Sequence, residues 1–189
     1  MANIIYLMGP SGSGKDSIIS GLSKHLHPDA GLQIAHRYIT RHWQSGGENH
    51  IELSDSQFLQ RKTLGLFSLS WQANGHHYGI GCEVDAWLKA HQSVIVNGSR
   101  EHLPEAIERY AERLIPVLIE VNEASLRERL TQRSRESIAE IDARILRSKD
   151  YAQSISSRCH LISNNGNLEA SVMALARLID QKTTTSIHV

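Results

Sequence analysis

The stretch Ile4-Ile5-Tyr6-Leu7-Met8-Gly9-Pro10-Ser11-Gly12-Ser13-Gly14-Lys15-Asp16-Ser17-Ile18-Ile19 decides how the rest of the chain is read. Ile4 to Met8 is an apolar run closed by glycine, the pattern of a central parallel strand covered on both faces. From Gly14 onward Ile18, Ile19, Leu22 and Leu26 recur at helical spacing until His27-Pro28 breaks the run. A strand, a glycine-rich loop and a helix therefore follow in that order. Gly9, Gly12 and Gly14 let the backbone turn tightly with its N–H groups inward, and this anion nest runs into the positive end of the helix dipole. Phosphate is its natural occupant.

Lys15 adds a mobile charge that can reach the β- and γ-phosphates of a nucleotide, and the residue after it normally offers a hydroxyl to Mg²⁺. Here that residue is Asp16, so Gly-x-x-x-x-Gly-Lys-[Ser/Thr] is met up to its last letter. A carboxylate is also a hard oxygen ligand for Mg²⁺, and Ser17 follows it. The reading therefore expects ATP on Gly9, Pro10, Ser11, Gly12, Ser13, Gly14, Lys15, Asp16 and Ser17. Asp16 and Ser17 are the metal candidates and Lys15 the catalytic one.

Working outward, Val94 to Val96 and Val117 to Val121 are β-branched runs and Leu161 to Ser163 is a shorter one, with helical stretches between and after them. Strands alternating with helices imply a layered α/β fold. Helix starts are signalled by Ser54-x-x-Gln57, by Pro104 and by Asn122. Residues 36–82 mix short apolar pieces with His, Arg, Asn and Gly, which reads as a loop-rich insertion. Between 127 and 149 seven basic residues outnumber four acids.

With 189 residues the chain is long enough for one domain with a real core. Lys plus Arg equals Asp plus Glu at 20 each, so no net charge draws it toward nucleic acid or an anionic membrane. Cys82 and Cys159 have no CxxC spacing, which argues against a disulfide scaffold or zinc site and fits a reducing cytosol. The first residues have neither a basic n-region nor a membrane-length apolar run, so neither a signal peptide nor a membrane span is expected. Eleven histidines include no His-x-x-x-His spacing.

Nearly the whole chain resembles the guanylate kinase branch of the P-loop kinases. Gly9-Pro10-Ser11-Gly12-x-Gly14-Lys15 is similar to that branch's loop. Ile39-Thr40-Arg41 with Gly47-Glu48 resembles its Thr-Thr-Arg and Gly-Glu segment, and Gly75-His76-His77-Tyr78-Gly79 its Gly-Asn-Tyr-Tyr-Gly. Leu126-x-x-Arg129-Leu130-x-x-Arg133 with Ile141-x-x-Arg144 resembles its lid. The resemblance implies a P-loop NTPase three-layer fold: a central five-stranded parallel sheet flanked by helices, a small inserted acceptor-binding subdomain and a helical lid. As one domain over 1–189, the core would take 1–33, 93–126 and 150–182, the insertion about 34–82, the lid about 127–149 and a tail 183–189. It also implies that Asn164 lies near the adenine and that Arg133 and Arg144 act in catalysis.

The departures narrow the substrate. The glutamate that reads guanine falls on Leu69, and the hydroxyl after Tyr-Gly falls on Ile80, so such a pocket should reject GMP. His50 stands near the family's first phosphate-binding tyrosine, and Asn97, in Val96-Asn97-Gly98-Ser99-Arg100, takes the place of an acidic residue. Gly-Lys-Asp-Ser with Val-Asn-Gly-Ser-Arg resembles the ribose 1,5-bisphosphate phosphokinase family. That resemblance implies a role in phosphonate degradation, with ATP and ribose 1,5-bisphosphate giving ADP and 5-phosphoribosyl 1-diphosphate. A sugar bisphosphate calls for cations at both ends. Arg37, Arg41, His50, His77, Tyr78, Asn97 and Arg100 are therefore the substrate-binding candidates.

The acceptor phosphate is ionised at neutral pH, so no protein base is needed; alignment and charge cover by Lys15, Mg²⁺ and arginines suffice. The rivals are a nucleoside monophosphate kinase of altered base preference and a non-catalytic guanylate-kinase-like binding module. The reading places the chain in the cytoplasm with a phosphorylated sugar as its partner, away from nucleic acid and membrane. Oligomeric state stays open, a homodimer included.

Overall fold

The computed structural model describes residues 2–27, 29–45, 48–132, 137–155 and 158–183. The chain begins with β1 (Ile4–Met8), α1 (Lys15–Ser23), β2 (Leu32–Ile34), β3 (Arg37–Ile39) and β4 (Ile51–Glu52). It continues through α2 (Asp55–Thr63), β5 (Phe67–Ala73), β6 (His76–Gly81), α3 (Glu83–Lys89), β7 (Ser93–Asn97) and α4 (Leu103–Tyr110). It ends with β8 (Leu114–Glu120), α5 (Glu123–Gln132), α6 (Ile138–Ile155), β9 (His160–Ser163) and α7 (Leu168–Lys182).

The main sheet has five strands in the order β2-β7-β1-β8-β9, all parallel. Every residue of β1 is buried, because helices cover both faces of a parallel sheet. Its side chains alternate between two cores. Ile4, Tyr6 and Met8 pack with Val94, Val96 and Leu103, whereas Ile5 and Leu7 pack with Ile18, Leu22, Val172 and Leu175. Each such aliphatic removes enough apolar surface from water to contribute roughly 1.5–3 kcal/mol. The strand directs its carboxyl end, and the glycine loop after it, to the point between β7 and β8 where the strand order reverses. Open α/β sheets place ligands there. The β1–β7 register sets Asn97 beside Leu7, close to the start of that loop.

Residues 36–82 are not loop-rich. They build a second, four-stranded sheet in the order β4-β3-β6-β5. Phe67-Ser68-Leu69-Ser70-Trp71 alternates apolar and polar residues, the period of a half-buried strand. Asn74-Gly75 then turns the chain into β6 with both residues at positive φ, 49° and 75°. That dipeptide is a strong hairpin signal. The helix signals correspond to real ends: Ser54 and Gln57 form a reciprocal capping box at α2, proline lies in the first turn of α4, and the Asn122 carboxamide caps α5 by accepting from the Ser125 amide at 2.8 Å.

Candidate active site

The glycine loop closes through a bond from the Ser13 amide to the Pro10 carbonyl at 3.1 Å. Helix α1 starts at Lys15 with Gly14 at its N-cap in the left-handed region, φ 88°, and no side chain caps it. Its first-turn amides, which no intrahelical carbonyl can satisfy, are thus left for an anion. A Cβ on Gly14 would also strike the Asn164 carboxamide. Asn164 is 3% exposed and donates to the Ser13 carbonyl at 2.7 Å while accepting from the Ser171 hydroxyl at 3.1 Å. Its side chain therefore braces the loop. Arg129 does the same from α5, reaching the carbonyls of Asn164 at 2.8 Å and Ser13 at 3.4 Å.

The Lys15 ammonium is folded across the loop onto the carbonyls of Gly9 at 2.8 Å and Pro10 at 3.1 Å. Burial pulls its pKa down to about 8; Asp16 opposes that fall, whereas the cations Arg37 and Arg100 add to it. Both cations lie close enough to Lys15 to act on it, Arg37 from the second sheet and Arg100 from the segment after β7. A pH dependence follows. Only the protonated lysine attracts phosphate, so free protein loses its ligand-ready form as pH rises through about 8. Affinity for a nucleoside triphosphate should fall roughly tenfold between about pH 7 and about pH 9. Isothermal calorimetry across that range would detect it, and a flat profile would contradict it.

Asn97, 4% exposed at the end of β7, donates from Nδ2 to Asp16 Oδ1 at 2.7 Å. A carboxylate accepts only, so the amide nitrogen must face it. Asn97 Oδ1 is then left buried without a hydrogen-bond partner among the described residues. This oxygen set fits a divalent cation of Mg²⁺ type. Among the described residues no group of three or more His, Cys, Asp or Glu could hold a metal alone. Phosphate oxygens and water would have to complete the shell, as Mg²⁺ prefers. Ser17, the next residue on α1, is exposed, about 100° of helical rotation from Asp16.

Across the cleft, Glu48 takes both Nε and Nη2 of Arg37 in a bidentate fork and pairs with Arg41 Nη2 at 3.5 Å. Arg37 and Glu48 side chains are only 13% and 10% exposed. Burial alone would raise the Glu48 carboxyl; the Arg37 fork and the Arg41 charge outweigh it and hold the group below its ordinary value. Arg41 Nε remains buried without a hydrogen-bond partner among the described residues. His50, 7% exposed, locks the turn through contacts with the carbonyls of Arg41 at 2.9 Å and Glu48 at 3.2 Å. The Arg37 guanidinium lies over the Tyr78 ring, 5.2 Å from its centroid. Tyr78 stacks in turn on Trp71 at 5.6 Å.

The sequence-named residues therefore divide. Lys15, Asp16 and Asn97 come together at the phosphate loop, Arg41, His50 and Tyr78 gather around Glu48 and Arg37, and Arg37 and Arg100 join the two groups by acting on Lys15. His77 joins neither group: strand alternation turns it to the opposite face from Tyr78, where it stacks on Phe58 at 5.1 Å. His50 and Tyr78 meet backbone and ring, respectively, instead of standing free. Arg144 lies on α6 near Glu140, whose carboxyl is held low first by Ser137 and also by the Arg144 charge. Arg133 is outside the described residues. Leu69 and Ile80 are cross-strand partners, and Ile80 is completely buried.

Three contributors went unread in the sequence. Glu48 and Arg129 lay within quoted motifs but carried no sign of their partners. Tyr6 sits inside β1, and its hydroxyl accepts from the Ser99 amide at 3.0 Å, holding the segment that bears Asn97 and Arg100. Its ring occupies the space a Cβ on Gly98 would need. Gly98 after a polar strand end was the available signal.

No protein-family model matches the chain. Curated proteins do. Ribose 1,5-bisphosphate phosphokinase PhnN of Yersinia pestis is 46% identical over 186 residues, 98% of this chain and 95% of that protein. The proteins of the same name from Desulfomicrobium baculatum and Pectobacterium parmentieri are 47% and 43% identical, covering 97% and 100% of this chain and 97% and 99% of their own lengths. Among solved structures, guanylate kinase from Anaplasma phagocytophilum matches with a TM-score of 0.74 over 98% of this chain and 88% of its own, at 14% identity. The last likeness speaks for the P-loop kinase fold. End-to-end identity at this level in several bacteria, on a chain whose phosphate loop is intact, means that it belongs to the ribose 1,5-bisphosphate phosphokinase family.

Proposed function

We propose that this chain transfers the γ-phosphoryl group of ATP to the 1-phosphate of ribose 1,5-bisphosphate, giving 5-phosphoribosyl 1-diphosphate and ADP, in cytosolic phosphonate breakdown. The observation that supports the reading is the cationic group of Arg37 and Arg41 on Glu48, with Arg37 and Arg100 close enough to act on Lys15; by the family resemblance, Leu69 and Ile80 take the places of the residues that would read guanine. The backbone of 9–17 holds the triphosphate, with Asn164 and Arg129 keeping the loop in shape. Asp16, with Asn97 beside it, would hold Mg²⁺, which would supply charge neutralisation at the phosphates.

Residues of about 34–82 serve as the acceptor-binding unit, and those of about 127–149 as the lid. Arg41 grips the acceptor through its unpaired Nε, and Arg37, its fork held by Glu48, contributes field and shape. An oxygen of the acceptor's 1-phosphate forms the new bond to the γ-phosphorus, and the bond to the bridging β,γ-oxygen breaks. No proton changes hands at neutral pH. Lys15, with Arg133 and Arg144 from the lid, covers the charge on the transferred group, and closure keeps water out. Among the described residues no helix is long and apolar enough to cross a membrane.

The test is ADP release with a panel of acceptors. Ribose 1,5-bisphosphate should exceed GMP in kcat/KM by about 10³-fold or more, because a site lacking hydrogen-bond partners for the base cannot recover its desolvation. Comparable rates with GMP would end the reading.

A further inference from the structure

Phosphate-loop sites commonly divide the cation between a hydroxyl after the loop lysine and a carboxylate borne by a core strand. In this chain the residue after Lys15 is the carboxylate, Asp16, and the polar residue ending β7, next to β1, is the neutral Asn97. The two side chains are hydrogen-bonded at 2.7 Å. We propose that they are a transposed pair: the single carboxylate of the cation site has moved onto the first turn of α1, and Asn97 is the positioning residue that fixes it. The inference rests on the reading of the loop as a Mg²⁺-nucleotide site.

Three observations carry it. Asn97 is almost fully buried, so its orientation is set by packing and by Asp16 rather than by solvent. Its Nδ2 must face Asp16, for a carboxylate cannot donate. Its Oδ1 is consequently a buried acceptor that no group among the described residues satisfies. Such an orphan is costly unless a ligand donor meets it, and a metal-bound water or a ligand hydroxyl beside the phosphates would do so. A second carboxylate at position 97 would press like charges together, and an amide at position 16 would leave the site without an anion. Exchanging the two residue types keeps both the shape and the charge.

The exchange is also the experiment. Asp16→Asn, Asn97→Asp and the double variant, all isosteric, are compared with the wild-type chain by thermal melting without ligand. ADP affinity is then measured with and without Mg²⁺ by calorimetry. In Asp16→Asn the factor by which Mg²⁺ tightens ADP binding should drop about tenfold. Asn97→Asp should melt several degrees lower without Mg²⁺ and regain part of that loss when Mg²⁺ is added. In the double variant both the Mg²⁺ factor and the melting temperature should return to within about threefold and a few degrees of wild type. A double variant with no larger Mg²⁺ factor than Asp16→Asn, or with the two melting losses simply added, overturns the proposal. If wild type itself shows no Mg²⁺-dependent nucleotide binding, the loop reading and this inference fall together. If wild type binds and the exchange does not recover, only the inference falls. Should the double variant not fold, Asn97→Asp decides: a larger Mg²⁺-induced rise in melting temperature than wild type supports the pair, and an equal rise contradicts it.

Discussion

Replacing Lys15 with methionine is expected to lower kcat/KM for phosphoryl transfer about 10³-fold, equivalent to about 4 kcal/mol of transition-state stabilisation. In the proposed reaction the side chain is the full positive charge that the loop would supply to the γ-phosphoryl group, and burial makes that charge act in a low dielectric. The fold should stand, since methionine keeps the aliphatic stem and loses two bonds to loop carbonyls. Steady-state kinetics beside a melting curve tests both parts. Turnover near wild type in a folded Lys15→Met protein would remove Lys15 from the chemistry.

Glu48→Ala should be the most damaging change in the second sheet. It strands the Arg37 guanidinium at 13% exposure and removes the partner of Arg41, and breaking a buried pair from one side costs about 3 kcal/mol or more. Denaturant unfolding reads the loss. The acceptor KM should rise with it, since Arg37 and Arg41 would no longer be held in one orientation. The same residue sets a pH response. Its folded pKa lies below the unfolded one, so its stabilisation is complete above the ordinary carboxylate range and is lost as pH falls through the folded value. Glu48→Gln should flatten that acid-side loss; an unchanged acid limb in the variant would show that the Arg37–Glu48 fork does not govern it.

How much of this was legible in the sequence depended on the length scale of each signal. The loop, β1 and α1 were readable because all their determinants lie within a few residues of one another. The capping box at Ser54 and the proline of α4 were local in the same way. The second sheet was misread as loops although Phe67-Ser68-Leu69-Ser70-Trp71 and Asn74-Gly75 carried strand and hairpin signals. Its strands are short, and β4 has only two residues. Within the cleft, residue type revealed that Arg41 and Asn97 were candidates, but not that Asn97 holds Asp16 across 81 positions or that Arg129 reaches back to Ser13 across 116. Such pairings are created by the strand order, which brings β7 and β8 to either side of β1. The packing of His77 on Phe58 went unforeseen for a simpler reason. Neighbouring residues on a strand face opposite ways, so Tyr78 and His77 could not both point into one site.

The central claim is that two anion sites share one cleft and exchange a phosphoryl group. It is tested most directly by incubating the purified chain with ribose 1,5-bisphosphate, Mg²⁺ and ATP labelled at the γ-phosphate, and locating the label by phosphorus NMR and chromatography. The account predicts the label on the terminal phosphate of a 1-diphosphate, with the 5-phosphate unlabelled and one ADP formed per product. Label released as inorganic phosphate, or found on a nucleoside diphosphate when GMP competes with the sugar, would contradict it.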